Sequence, residues 1–213
     1  MSSALPRETE IDWSRPVRMT VEQYEALEER SEEKHEYYDG IVRPLSRLIA
    51  MAGGTEQHSL TIGNSIRELG NALKGHGCRV YDSNLQVKVR GTEKRSYPDV
   101  SVVCGEPEFD PDVSKRRAIN NPLIVIEVLS ESTEVFDRSD KLRYYRLLES
   151  FREYVLIDPR RVDVLTLFLT DEGTWVTTFY QSINDKLVLQ STGVSIPLTE
   201  IYRDVELEDA TDD

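Results

Sequence analysis

A chain of 213 residues, 38% hydrophobic and 31% charged, has the balance of a globular protein and enough length for a substantial core. No segment approaches the ~20 apolar residues of a membrane span, and the opening to Trp13 lacks a secretory signal pattern. The net charge of −13 argues against a general nucleic-acid coat protein, whose binding rests on Lys and Arg, but leaves a nuclease open, because local charge governs a cleft.

Residues 1–18 hold Pro6 and Pro16 without apolar periodicity and read as an extended arm. Thr20 is the expected N-cap of a helix running to about Arg30, with Glu22 and Glu25 early in it, where the helix dipole favours negative charge. Asp39-Gly40 between β-prone flanks predicts a hairpin. After Gly53-Gly54-Thr55, the stripe Ile62, Ile66, Leu69 and Leu73 has helical spacing, with His58 one turn before Ile62 on the same face. Gly75 and Gly77 are expected to end that helix.

Three strands are expected next, at 80–90, 98–104 and 123–129, then a helix over 133–149 and a strand at 153–159. Three strands joined by loops suit an antiparallel meander, and strand, helix, strand suits a right-handed parallel crossover. A hairpin over 162–180 and a short stretch from Leu187 to Tyr202 complete the pattern. The expected fold is α/β, a mixed sheet with an antiparallel meander, a βαβ crossover and added β-hairpins. It forms a single domain over 19–203, followed by an acidic tail over 204–213. Cys78 and Cys104 lack metal-ligand spacing and are read as two reduced thiols rather than one disulfide, which supports a cytoplasmic location.

Two acids stand out. Asp99 opens an apolar strand in Tyr97-Pro98-Asp99-Val100, and Glu127 interrupts Leu123-Ile124-Val125-Ile126-Glu127-Val128-Leu129. A buried carboxylate is costly without a cation or hydrogen bonds. Singly, each has an ordinary structural account: Pro-Asp is a common turn dipeptide, and a strand-end Glu can reach solvent. On antiparallel neighbours, however, the start of one strand lies beside the end of the other, so the two acids can share one edge. Lys141 precedes Tyr145 by four residues and Leu148 by seven, which places it on the packed face of its helix, where it needs an anionic partner. Basic residues also gather at Lys115-Arg116-Arg117 and at Arg138, Arg143 and Arg146.

Read together, Glu36-Tyr37-Tyr38-Asp39-Gly40, Met51-Ala52-Gly53-Gly54-Thr55 with His58, Tyr97-Pro98-Asp99-Val100, Glu127-Val128-Leu129-Ser130 with Ser132-Thr133, Asp137-Arg138-Lys141 with Tyr144 or Tyr145, and Glu153 to Pro159 resemble the Uma-type restriction endonucleases of the PD-(D/E)XK superfamily. The resemblance covers roughly residues 20–202. It implies a restriction-endonuclease-like core, a DNA phosphodiester substrate, a homodimer, and Mg²⁺ (or Mn²⁺ in its place) held by Asp99, Glu127 and the Val128 carbonyl. It also places Glu36 and His58 near the site, with His58 accepting a proton or bonding Glu127. Two departures stand out. Leu129 occupies the position where the superfamily usually has lysine, making Lys141 the expected substitute and Lys88 a second candidate; Glu131 stands where proline is common. A nucleic-acid-binding or protein-interaction module with the same fold and little or no catalysis stays open as the alternative.

Overall fold

The structure is a computed structural model and describes residues 11–45, 55–89, 92–111, 118–130 and 134–208. Gly53-Gly54, Lys115-Arg116-Arg117, Glu131 and Ser132-Thr133 lie outside the described residues, as do the first ten residues of the expected arm and the last five of the tail.

Near the N-terminus, β1 (Val17–Arg18) leads into helix α1 (Val21–Arg30). Its N-terminus is a reciprocal cap: Gln23 N donates to Thr20 Oγ1 and Thr20 N donates to Gln23 Oε1, satisfying two amides that the helix itself leaves free. The predicted hairpin joins β2 (His35–Tyr38) to β3 (Ile41–Pro44). Asp39 and Gly40 both have positive φ, 49° and 84°, as a tight primed turn requires.

Helix α2 (Glu56–Ala72) carries the expected apolar stripe, with Thr55 as its cap. The expected strand at 80–90 divides into β4 (Cys78–Asp82) and β5 (Gln86–Lys88), which belong to different sheets. The cause is a turn: Asp82 accepts from Asn84 N and Asn84 Nδ2, and Leu85 N donates to Asp82 O, so the chain leaves one sheet and enters the other. Then come β6 (Arg95–Ser96), β7 (Val100–Cys104), β8 (Ala118–Ile119) and β9 (Ile124–Val128). The helix expected over 133–149 is shorter and irregular: an α-turn at Glu134–Phe136, a π-turn at Asp137–Lys141 and an α-turn at Leu142–Tyr145. Strands β10 (Glu153–Asp158), β11 (Asp163–Leu169) and β12 (Trp175–Tyr180) follow. The chain closes with the hairpin β13 (Lys186–Leu189) and β14 (Val194–Pro197) and a turn of helix at Leu198–Ile201.

The main sheet has the order β12-β11-β10-β9-β7-β4. Strands β4, β7 and β9 run antiparallel in turn, giving the expected meander, and β9 pairs parallel with β10 across the helical crossover. A second sheet, β1-β3-β2-β6-β5-β8, carries the hairpin. One face of the main sheet, with Val100, Val102, Ile124, Ile126 and Val128, packs on Leu69 and Leu73 of α2 and on the β13–β14 hairpin. Its other face, with Val103, Val125, Leu129 and Leu156, packs on Leu142, Tyr145 and Leu148 and on Val87 of the second sheet. Two buried faces explain why β9 and β10 read as near-continuous apolar runs. Packing continues past the expected boundary at 203, since Val205 and Leu207 lie against the first core. No helix among the described residues is long and apolar enough to cross a membrane.

The reading of Cys78 and Cys104 as separate thiols is overturned. Their positions are directly opposite in the β4–β7 register, and they form a disulfide. Sequence spacing of 26 gave no hint of this pairing; strand register supplies it. The cytoplasmic expectation thereby loses its cysteine argument, because disulfides are rare in that reducing compartment.

Candidate active site

The site forms where the start of β7 meets the end of β9. In the register, Val100 faces Ile126, so the next step outward sets Asp99 beside Glu127. Both belong to the face that carries Val103, Val125 and Leu129, by the two-residue period of a strand. Val128 N donates to Asp99 Oδ2 at 2.8 Å, fixing that carboxylate across the two strands. Asp99 keeps a fifth of its side chain exposed, whereas Glu127 is buried.

Lys141 reaches this edge from the crossover. Its Nζ lies 3.1 Å from Asp137 Oδ1, 3.2 Å from Glu127 Oε1 and 3.7 Å from Glu36 Oε1, with all four side chains buried. Glu36 arrives from the second sheet on β2 and accepts a hydrogen bond from Tyr97 N at 3.1 Å. Tyr145, one turn beyond Lys141, donates from its hydroxyl to Glu127 Oε1 at 3.0 Å and is itself bonded to Ser96 Oγ. Asp99, Glu127, Lys141 and Glu36 are thus brought into one cluster.

The electrostatics are those of an acid excess. Burial pushes the Glu127 carboxyl well above the ordinary range, opposed by Lys141 and reinforced by Asp137, Asp99 and Glu36. Burial likewise raises Asp99 and Glu36 against the pull of nearby cations. Burial alone would lower Lys141, but Asp137, Glu127 and Glu36 outweigh it, so its ammonium is held protonated well above the usual range. One ammonium cannot neutralise this many acids.

His58, in the first turn of α2, does not bond Glu127. Its Nε2 lies 3.0 Å from Val128 O and 3.9 Å from Asp99 Oδ2. A carbonyl only accepts, so Nε2 carries a proton and donates there. Lys88, the second lysine candidate, pairs with Asp110 at 2.9 Å. Leu129 is buried in the core between the sheet and the crossover helix, so the position usual for the lysine is filled by an apolar side chain.

Asp137 and Tyr145 belong to the motif that carries the resemblance, but their bonds to Lys141 and Glu127 are supplied by the fold. Asp137 was legible as a charge pair four residues before Lys141, and Tyr145 as the next turn of the same face. The oxygens of Asp99, Glu127 and Val128 are the donor type that hard divalent cations take. The acid excess fits such an ion, and so does the buried Glu36 Oε2, which has no hydrogen-bond partner. Among the described residues, no three His, Cys, Asp or Glu side chains already converge as a metal-binding group.

A cyanobacterial relative, the uncharacterised protein slr1290 of Synechocystis sp., is 35% identical over 187 residues, which cover 87% of this chain and 92% of that one. A second, sll1609 of the same organism, is 31% identical over 140 residues, 66% of this chain and 75% of that protein. The crystal structure of a protein titled a putative nuclease belonging to DUF820, from Anabaena variabilis, matches with a TM-score of 0.64 at 15% identity. That match covers 86% of this chain and 97% of the other, and it shows that the expected restriction-endonuclease-like fold is shared. The Uma2 family model, described as "Putative restriction endonuclease", matches residues 21–199, and the chain belongs to that family.

Proposed function

We propose that this chain is a divalent-metal-dependent endonuclease that hydrolyses phosphodiester bonds of DNA. The observation that carries the reading is the convergence of Asp99 and Glu127 on one sheet edge with Lys141 buried against Glu127. Membership of a family described as restriction endonucleases supports the same class. Asp99, Glu127 and the Val128 carbonyl would hold Mg²⁺, or Mn²⁺ in its place. When bound, that ion supplies an acidified water and charge stabilisation at the phosphoryl oxygens.

The chain's own residues divide the remaining work. Lys141 holds a proton and a fixed positive charge beside Glu127, where it orients the attacking water and stabilises developing negative charge. Asp137 and Glu36 hold the Lys141 side chain in place from two other directions. Tyr145 fixes one oxygen of Glu127 and leaves the other free. His58 holds the Val128 carbonyl and lies close to Asp99, so it orients the end of β9.

The test is a supercoiled-plasmid assay with Mg²⁺ or Mn²⁺. Nicking should appear with wild-type protein, vanish on chelation, and be lost in both Asp99→Ala and Glu127→Ala. Full activity in the two variants would remove the assignment. The alternative, a non-cleaving nucleic-acid-binding module, predicts binding that survives both substitutions, weakens with salt and needs no metal.

A further inference from the structure

The main sheet ends on β12, and the edge it presents is unusual for an exposed strand. Leu169 N donates inward to Arg152 O, while Thr170 N donates to Thr174 O. An antiparallel ladder alternates these directions, so Val176, Thr178 and Tyr180 bond toward β11. The N–H and C=O groups of Trp175, Thr177 and Phe179 therefore point away from the sheet, and none has a partner among the described residues. Native edges are normally blunted by charge, proline or a bulge. Here the whole stretch from Gly173 to Asn184 carries no charge and no proline, in a chain of net charge −13. Val176 is 46% and Phe179 61% exposed.

We propose that this edge is a self-association surface on which β12 pairs antiparallel with β12 of a second copy. A two-fold axis perpendicular to the sheet keeps each face on its own side, so paired residues must share a face. With the axis at Thr177, the outward groups of Trp175, Thr177 and Phe179 meet those of the partner's Phe179, the partner's Thr177 and the partner's Trp175. Val176 then faces the partner's Thr178. Aromatic and Thr–Thr cross-strand pairs are among the favourable ones. Trp175 already lies 5.8 Å from Phe151, centre to centre, so the partner's Phe179 extends a row of rings that begins in the core. A second acidic copy is repelled elsewhere on the surface, and this uncharged edge is where it can approach. The same two-fold turns the partner's sheet end for end, so the two Asp99–Glu127 edges point in opposite directions.

The test is sedimentation of the full chain at micromolar concentration. Wild type should run as a dimer. Thr177→Pro removes an N–H that the β11 ladder does not use, and Phe179→Lys adds edge charge. Both should halve the mass while the circular dichroism stays that of the folded chain, because loss of a partner copy by itself lowers Tm. The register is tested by oxidising single-cysteine substitutions. Hydrogen-bonded antiparallel partners have Cα atoms about 5.5 Å apart, within the disulfide range of about 4.4–6.8 Å. Thr177→Cys should therefore give a cross-linked dimer on a non-reducing gel, and Thr178→Cys should not. A monomeric wild type, a dimer that persists in both edge variants, or cross-linking through Thr178→Cys alone would overturn the proposal.

Discussion

Replacing Lys141 with methionine keeps the length of the buried side chain and removes its charge. Three carboxylate oxygens lie within 3.7 Å of the ammonium, and at an effective dielectric of about 20 each such contact is worth roughly 5 kcal/mol of attraction. Most of that attraction is offset by the cost of burying the charges, and the orphaned acids escape part of the loss by taking up protons. Removing one partner of a buried pair typically costs about 3–5 kcal/mol. For a chain of this size that lowers Tm by about 6–20 °C, at roughly 2–4 °C per kcal/mol.

The sign with pH is fixed by the same acids. Without Lys141, Glu127 and Glu36 rise further above their unfolded values, so the native state binds more protons than the unfolded chain above the ordinary carboxylate range. Stability of the variant then falls as pH rises, and its deficit is largest at mildly alkaline pH and shrinks toward pH 5. The ammonium's own contribution in wild type is fully present below the unfolded lysine value and disappears only as pH rises through its raised native value. Thermal melts of both proteins in chelator across this range measure the difference. A Lys141→Met variant that melts within a degree or two of wild type at every pH would refute the buried cluster.

Two further outcomes follow from the geometry. Tyr145→Phe removes a hydroxyl that links Glu127 to Ser96; hydrogen bonds to charged groups put the loss at roughly 1.5–3 kcal/mol, read as a lower denaturant midpoint with unchanged slope. The Cys78–Cys104 bond closes a loop of separation 26, for which the chain-entropy relation gives on the order of 3 kcal/mol. Reductant, or the Cys78→Ser/Cys104→Ser pair, should lower Tm accordingly, and an unchanged melt would show that the bond contributes nothing.

Much of this site was legible from residue pattern alone. Asp99 and Glu127 each break an apolar strand, and a meander makes the start of one adjacent to the end of the next. Lys141 was legible because an ammonium on the packed face of a helix needs an anion. What stayed hidden depended on quantities that a pattern does not carry. Apolar spacing does not report hydrogen-bond period, so the π-turn inside the crossover read as ordinary helix. Alternation in Leu85, Val87 and Val89 continued across a turn that sends β4 and β5 to different sheets. Cystine pairing follows from register, which two isolated cysteines cannot reveal. His58 was placed near the site, but its bond to the Val128 carbonyl rather than Glu127 depends on how α2 approaches the strand ends.

The π-turn at Asp137–Lys141 lets the crossover carry one residue more than an α-helix would between the same two anchors. Leu142 and Tyr145 are anchored in the core beyond it, while Phe136 lies against Tyr38 before it. Deleting Ser139, whose side chain is exposed, would leave every acid, Lys141 and Tyr145 present in the sequence. It would also let the turn close as ordinary α-helix, with Asp137 and Lys141 three positions apart and still neighbours on one face. A chain one residue shorter across 136–142 would thus keep the same cluster, so its acid and its lysine need not stand four positions apart.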